Sequence, residues 1–353
     1  MSRRLLMVCA IIGLLVVTRG LFSMGEPGNR NATNPLSVEW PVVPVPGRLV
    51  FQSDRDGALS EIWLLEQGTL RKLASGTKTP QDVPKELPRI FQSALADLQD
   101  PKWSPDGSKI LCVGDEELVI LLSNGSVEKR IRLSGVPHNA AWAPDGSAIY
   151  YTKIDKIPQR GGTYNIYRFG LQDRSERQVT NLDPMPGIRG IIAFAVSPDD
   201  RQVVFCMVGE KEYGISLWRI GTDGSGLEVL VKYGKSPAWS PDGTKIAYVS
   251  NYLPSGEKIS KFEEILVYDV QTGTISRVTN NEWEDAQPVF SPDGTKIAFK
   301  SARHKIISHG AEIFVINLDG TGEARLTPPK PNPQYPNDPI RGWATDEHPD
   351  WAS

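Results

Sequence analysis

The sequence predicts an all-β fold made of repeated four-stranded antiparallel units, and three observations lead to this prediction. The chain of 353 residues contains 32 Gly, 28 Pro and 9 Trp, which is typical of many short strands joined by tight turns. One turn phrase recurs along the chain, and a short β-branched or aromatic run follows each copy. A net charge of −3 leaves no basic excess to neutralise phosphates, so we expect no nucleic-acid partner.

Residues 1–22 have the pattern of a secretory signal. Arg3 and Arg4 precede an apolar run from Leu5 to Val17, which is shorter than the roughly 20 residues that span a bilayer. We expect either a cleaved signal peptide or an uncleaved anchor attached to the membrane through residues 5–22; a buried N-terminal strand or helix is the alternative. Residues 23–45 form a proline-containing linker. The predicted location is extracytoplasmic, either periplasmic or at the cell surface or secreted.

The recurring phrase consists of an apolar residue, usually aromatic, followed by a four-residue turn. Its copies are Trp103-Ser-Pro-Asp-Gly107, Trp142-Ala-Pro-Asp-Gly146, Val196-Ser-Pro-Asp-Asp200, Trp239-Ser-Pro-Asp-Gly243 and Phe290-Ser-Pro-Asp-Gly294. Ser, Pro, Asp and Gly suit successive positions of a type I turn, so each copy joins two antiparallel strands. We interpret the aligned Asp residues as turn formers and not as a catalytic set.

Two further strands complete each unit. The third strands resemble Glu312-Ile-Phe-Val-Ile316, and the fourth resemble Ser276-Arg-Val-Thr279. Upstream, residues 48–73 supply a second, third and fourth strand with no turn phrase before them, whereas His348–Ser353 supplies a first strand with nothing after it. Joining the two fragments gives a sixth unit. Four-stranded units repeated around an axis predict a six-bladed β-propeller, closed where the C-terminal strand joins the N-terminal blade.

These units resemble the TolB-type propeller repeat. Pro237-Ala-Trp-Ser-Pro-Asp-Gly243 and Pro288-Val-Phe-Ser-Pro-Asp-Gly294 are its best copies, and the resemblance covers residues 46–353. TolB itself carries an additional α/β domain before its propeller, and residues 23–45 are too short for one, so we expect that domain to be absent. Prolyl-oligopeptidase-type enzymes have similar propellers, but this sequence contains no G-x-S-x-G nucleophile elbow.

Candidate binding residues stand three and four positions before the aromatic residue of each first strand. We expect these positions to face the mouth of the central channel. The candidates are Asp100, His138, Asn139, Lys235, Gln287, Glu347 and His348. No organic cofactor is predicted. Asp100, His138, Glu347 and His348 are donors that could hold a divalent cation, although they lack the fixed spacing of a known metal motif.

Several loops and two cysteines complete the predictions. Asp54 to Glu61 lacks the ligand spacing of a calcium loop and is interpreted as a turn. Residues 77–99 predict a short amphipathic helix, and residues 153–163, 251–263 and 328–346 lengthen other connections. Cys112 and Cys206 fall in non-neighbouring units, so we expect buried thiols and no disulfide bond.

The sequence therefore favours an exported, non-catalytic and monomeric propeller that binds a protein or peptide at the cell envelope. The enzyme alternative is a metal-assisted lyase or hydrolase that acts on carbohydrate at the channel mouth. A third alternative is a glycan-binding module without chemistry.

Overall fold

The recurring turn phrase joins the first and second strands of five of the six blades. In the computed structural model, which describes residues 46–54, 60–76, 98–153, 164–182, 188–209, 214–302, 311–328 and 346–353, the Gly107 amide donates to the Ser104 carbonyl at 2.8 Å. Gly107 has a φ of 66°, a conformation that favours glycine at the end of the turn. The Asp106 carboxylate accepts from the Ser108 amide at 3.0 Å and from the Ser104 hydroxyl at 2.5 Å. The Asp residues are therefore turn formers, as predicted.

The described residues form twenty-four strands and no helix. Blade 1 contains β1 (Arg48–Ser53), β2 (Glu61–Glu66), β3 (Thr69–Ser75) and, from the other end of the chain, β24 (Asp346–Ala352). Blade 2 contains β4 (Gln99–Trp103), β5 (Lys109–Val113), β6 (Glu117–Leu122) and β7 (Val127–Arg132), and blade 3 contains β8 (Pro137–Trp142), β9 (Ala148–Lys153), β10 (Asn165–Gly170) and β11 (Glu176–Gln178). Blade 4 contains β12 (Ile188–Val196), β13 (Gln202–Gly209), β14 (Ile215–Gly221) and β15 (Glu228–Lys232). Blade 5 contains β16 (Lys235–Trp239), β17 (Lys245–Ser250), β18 (Glu264–Asp269) and β19 (Ile275–Arg277), and blade 6 contains β20 (Asp285–Phe290), β21 (Lys296–Ser301), β22 (Glu312–Asn317) and β23 (Ala324–Arg325).

The six blades close into a ring. The inner strands β24, β4, β8, β12, β16 and β20 contact one another in that order, and β20 contacts β24 again. The closing strand β24 pairs antiparallel with β1, with Arg48 opposite Ala352 and Leu49 opposite Trp351. The prediction of six four-stranded blades closed by the C-terminal strand is confirmed.

The hydrophobic core is divided among the six interfaces between neighbouring blades. One cluster joins Val50 and Ile62 of blade 1 to Ile110 and Cys112 of blade 2, and comparable clusters fill the other five interfaces. Cys112 and Cys206 lie in different clusters, and both are buried, free thiols, as predicted. Burial raises the pKa of Cys206 to about 12, so this thiol is unreactive.

Several fourth strands end earlier than the sequence pattern predicts. The pattern extends the last strand of blade 5 to Thr279, whereas β19 ends at Arg277. The reason is that the Thr279 hydroxyl accepts the Ile265 amide at 2.8 Å, in place of a backbone carbonyl. Thr180 and Thr327 accept the amides of Ile166 and Ile313 in the same way, at 2.8 and 3.0 Å. A side chain therefore continues the pairing where the strand has ended.

Several predicted segments lie outside the described residues. These are the signal at residues 1–22, the linker at 23–45, the helix at 77–99 except for its last two residues, and most of the connections at 153–163 and 328–346. The part of the chain that the structure describes has no helix long and apolar enough to span a membrane.

Candidate functional site

The inner strands begin at one face of the ring, which we call the channel-mouth face. The Ser-Pro-Asp-Gly turns lie at the opposite face, which we call the turn face. Because strands alternate in direction within a blade, the second-to-third and fourth-to-first connections also reach the channel-mouth face. The candidate residues predicted from the sequence stand at this face.

A β-bulge lies at the candidate positions. Pairing between the first and second strands shifts register in every blade, for instance between Gln99 and Lys102 and between Ala286 and Val289. In four of these strands the residue three positions before the aromatic is left-handed: Asp100, Ser236, Gln287 and His348, with φ between 48° and 53°. A left-handed non-glycine residue is strained, and bulges redirect side chains next to functional sites. The bulges therefore place a strained backbone at the candidate positions of four inner strands.

Blades 6, 1 and 2 bring four of the seven predicted residues together. The His348 Nδ1 atom lies 3.3 Å from an Asp100 carboxylate oxygen, and the Gln287 amide nitrogen lies 3.3 Å from His348 Nε2. The His348 backbone amide donates to the Gln287 side-chain oxygen at 2.8 Å. The fourth residue, Glu347, accepts from the Lys300 ammonium at 2.6 Å. We call Asp100, Gln287, Glu347 and His348, with their partners Lys102 and Asp350, the inner-strand cluster.

Lys102 interacts electrostatically with two carboxylates of this cluster. Its ammonium lies 2.9 Å from Asp100, which is 7% exposed. Burial opposes ionisation of Asp100, but the Lys102 ammonium and the His348 hydrogen bond outweigh burial and hold the pKa of this carboxyl well below its usual value. Burial also opposes the charge on Lys102, yet Asp100 and Asp350 together raise the pKa of this ammonium. Asp100 and Lys102 therefore form a stable ion pair in which the carboxylate is buried and the lysine side chain is partly exposed.

Asp350 behaves differently. Its carboxylate accepts the Trp103 backbone amide at 2.7 Å, which fastens β24 to β4. Burial raises the pKa of Asp350 to about 6, because the attraction of Lys102 and the amide only partly offset desolvation and the repulsion of Asp100. Lys102 thus pairs directly with Asp100 and attracts Asp350 only at longer range, so Asp350 is the less well compensated of the two carboxylates.

The other three predicted residues contact side chains and backbone groups outside this cluster. His138 packs against Tyr164 with ring centroids 5.5 Å apart, and its Nδ1 atom lies 3.0 Å from the Asn139 side-chain oxygen. The Asn139 amide nitrogen donates to the Ile192 carbonyl of blade 4 at 3.4 Å. Lys235 forms an ion pair with Glu263 within blade 5. Within the described ranges, no three His, Cys, Asp or Glu side chains converge as metal ligands would.

Sequence reasoning missed Lys102 and Asp350. Both occupy the position directly before the aromatic residue, where the other four inner strands carry Ala141, Ala195, Ala238 and Val289. Two charged residues at a position that is small and apolar in the other units could have indicated the cluster. A residue that departs from the repeat pattern indicates a role in its own blade that the other blades do not share.

Exposed aromatic side chains flank the starts of two inner strands on the same face. Tyr233 stands two residues before β16 and is 43% exposed, and Trp283 stands two residues before β20 and is 38% exposed. The Tyr233 ring packs on Tyr252 at 5.2 Å, and the Lys258 ammonium lies 5.9 Å from the Tyr252 ring centroid. Tyr233 is also left-handed, with a φ of 63°. We call Tyr233, Tyr252, Lys258 and Trp283 the aromatic ledge.

Known proteins resemble parts of this chain. Residues 222–338 match the model of the TolB beta propeller domain family. The uncharacterized peptidase YuxL of Bacillus subtilis is 36% identical over 89 residues, which are 25% of this chain and 13% of that protein. The Tol-Pal system protein TolB of Francisella tularensis subsp. mediasiatica is 35% identical over 92 residues, which are 26% of this chain and 19% of that protein. The matches thus span less than a fifth of either relative.

Solved structures resemble more of the chain. TolB from Acinetobacter baumannii superposes with a TM-score of 0.60 at 19% identity, over 87% of this chain and 66% of that one. An oligogalacturonate lyase in complex with manganese superposes with a TM-score of 0.54 at 17% identity, over 79% of this chain and 73% of that one. At these identities the likeness concerns the fold alone. The chain is a TolB-like six-bladed β-propeller.

Proposed function

We propose that this protein is an exported, non-catalytic and monomeric scaffold that binds a protein or peptide partner through its channel-mouth face at the cell envelope. The observation that carries the proposal is the aromatic ledge, where Tyr233 and Trp283 are exposed on the face that also bears the inner-strand cluster. Exposed Tyr and Trp side chains are enriched in protein interfaces, where they bury large areas at low entropic cost. The resemblance to a Tol-Pal system protein supports a partner in the envelope.

The inner-strand cluster adds specificity to this surface. Asp100, Gln287 and His348 are each held in the left-handed conformation by contacts between blades, so their polar groups are fixed before a partner arrives. Binding groups that are already ordered lose less conformational entropy on association. We therefore assign affinity to the aromatic ledge and selectivity to the polar cluster.

A site-specific photocrosslinking experiment tests the proposed face. A benzophenone amino acid replaces Tyr233 in one variant and Leu227 in the other, and cells are irradiated before the envelope fraction is analysed by mass spectrometry. Leu227 is the matched control because it lies just before β15, the strand that Tyr233 follows, is 37% exposed and lies at the turn face. We expect one discrete protein adduct from position 233 and none from position 227. Equal adducts at both positions, or none at 233, would overturn the proposal.

We also propose that residues 1–22 direct export and that residues 23–45 link this segment to the propeller. The described chain begins at the turn face, because Arg48 pairs with Ala352 at the end of β24. A membrane anchor would then be attached on the turn-face side of the propeller. Mass spectrometry of the N-terminal peptide from envelope fractions checks this: a peptide starting between residues 19 and 26 indicates cleavage, one starting at Met1 indicates an anchor, and a protein found only in the cytosol contradicts export.

A further inference from the structure

The turns of neighbouring blades pack against one another on the turn face. A Cβ atom at Gly243 of blade 5 would lie 3.7 Å from Cδ of Pro198 in the turn of blade 4. A Cβ atom at Gly294 of blade 6 would lie at the same distance, 3.7 Å, from Cδ of Pro241 in the turn of blade 5. The repeat thus sets a contact in which the glycine of one turn rests on the proline of the turn before it.

This contact is missing between blades 2 and 3. A Cβ atom at Gly146 would have no heavy atom within 4 Å, although symmetry predicts Pro105 there. A cleft of about 580 Å³ separates the two turns instead. Ile120, Trp142 and Leu171 give it apolar walls. Its charged lining residues are Asp106, Lys109, Glu128, Lys129 and Asp145, of which Lys109 and Glu128 are paired at 2.8 Å. Its volume lies in the range of pockets that take a ligand or a few residues of a peptide.

The described chain begins one turn away from this cleft. The Pro46 carbonyl accepts the Trp351 indole N–H at 2.7 Å, and the Arg48 guanidinium lies 4.6 Å from the Trp103 ring centroid. A Cβ atom at Gly107 would lie 2.3 Å from Arg48 Nη2, so Arg48 touches the turn that forms one wall of the cleft. Residues before Pro46 therefore leave blade 1 on one side of the blade 2 turn, and the cleft lies on the other side of the same turn.

The geometry points to an intramolecular occupant: we infer that residues 38–45, Val-Glu-Trp-Pro-Val-Val-Pro-Val, bind in the cleft between blades 2 and 3. Eight extended residues reach about 26 Å, which is enough to pass the four-residue turn of blade 2 and enter the cleft on its far side. Trp40 and the valines match the apolar walls, and Glu39 complements the Lys129 ammonium. Pro41 and Pro44 favour an extended backbone that loses little entropy when it binds.

This contact would fasten the N-terminal segment to the turn face. The export segment would then hold the propeller in one orientation. An unattached linker would instead leave the propeller free to rotate. The inference is independent of the proposed partner, since the cleft and the aromatic ledge lie on opposite faces.

Disulfide trapping in the full-length chain tests the inference. The test variant carries Val42→Cys with Lys129→Cys, and the control carries Val42→Cys with Glu228→Cys, both in a Cys9→Ser background. Glu228 is a suitable control because it is exposed and begins the outer strand of blade 4, opposite Arg219, as Lys129 lies opposite Ile120 in blade 2. Cys112 and Cys206 are buried and do not compete.

Under mild oxidation we expect the 42–129 disulfide to form within one chain at least tenfold faster than the 42–228 disulfide. Adding Trp40→Ser should slow the 42–129 reaction severalfold, because the largest apolar contact is lost. Equal rates for the two pairs overturn the inference. A disulfide-linked dimer also overturns it, since the segment would then occupy the cleft of a second copy.

Discussion

Asp100 and Asp350 are both attracted to the Lys102 ammonium, but the two carboxylates have opposite consequences for stability. The pKa of Asp100 is far below its ordinary value, so the folded state binds this proton less tightly than the unfolded state does. The Asp100 carboxylate therefore stabilises the fold above about pH 4, and this contribution is lost as the pH falls. Asp350 has its pKa raised from 3.8 to about 6, so the folded state holds this proton more tightly than the unfolded state does. Stability therefore falls as the pH rises from 4 to 6, and the loss is complete above pH 6.

Asp350→Asn should stabilise the protein at neutral pH. The amide oxygen can still accept the Trp103 N–H, while the desolvated negative charge is gone. We expect a gain of up to about 3 kcal/mol at pH 7.5, shrinking to nothing at pH 4. Urea unfolding at pH 4, 5, 6 and 7.5 measures it, and a variant that is less stable at pH 7.5 contradicts the assigned role.

Asp100→Asn changes the other carboxylate of the same cluster, and we expect it to change the free energy of unfolding in the opposite direction. It removes the carboxylate that pairs with Lys102 and leaves that partly exposed ammonium with the less well compensated Asp350 as its remaining counter-charge. We expect a loss of about 2 to 4 kcal/mol at pH 7.5, which narrows as the pH falls below 4. The same urea series measures it, and equal effects of the two variants would show that both carboxylates act alike.

At the scale of elements, the threonine that follows the fourth strand is a structural residue. In blade 5 the Thr279 hydroxyl accepts the Ile265 amide and donates to the fully buried Glu264 carboxylate at 2.8 Å. The Arg277 guanidinium also contacts Glu264, at 2.9 Å. Glu264, Arg277 and Thr279 thus form one hydrogen-bonded group around a buried carboxylate, and this group fixes the end of the blade.

Thr279→Val tests this role because the two side chains have nearly the same shape. The change leaves the Ile265 amide without its acceptor and removes one donor to a buried charge. We expect a loss of about 2 to 4 kcal/mol in the free energy of unfolding. Thr274→Val, in an exposed turn of the same blade, should change it by less than about 0.5 kcal/mol. Similar effects at both positions would refute the structural role.

Elements with local causes were predictable, and those with distant causes were not. The Ser-Pro-Asp-Gly turn could be predicted because each residue satisfies its own position, as the Asp106 hydrogen bonds show. The early end of β19 could not, because it depends on a threonine that reaches across to another strand. Asp100 and His348 were predicted by counting back from the aromatic residue. Their contact with each other depends on closure between residues 248 positions apart in the sequence.

At the scale of the whole molecule, one strand closes the ring. Joining the ends of a chain of about 300 residues costs on the order of 5 kcal/mol in entropy. The closing strand offsets this cost through its pairing with β1, the buried Trp351 side chain and the Asp350 contact to blade 2. It also supplies Glu347 and His348, so closure and completion of the candidate site are the same event.

Removing residues 346–353 should therefore destabilise the entire ring. The deletion leaves the β1 edge and the interface between blades 6 and 1 uncovered, and we expect early melting and aggregation. Thermal unfolding and light scattering measure the effect. A truncated chain as stable and monomeric as the intact protein would contradict closure by β24.

A circular permutant separates loss of the strand from loss of chain length. Because Ala352 lies opposite Arg48, residues 346–353 can be placed directly before residue 46 with a short linker. We expect this permutant to recover the melting temperature of the parent to within a few degrees. Failure to recover would show that β24 needs its own covalent connection to blade 6.

The position of the two described ends also decides how the ring responds to force. Pulling the ends apart loads the Arg48 and Ala352 pair first, so the β1–β24 hydrogen bonds would break one after another, as in a zipper. A pull between the N-terminal segment and a partner held at the opposite face instead runs along β1, where the bonds to both neighbouring strands share the load. In the proposed arrangement the propeller would therefore resist traction between a membrane and a captured protein, and it would yield when its own ends are separated.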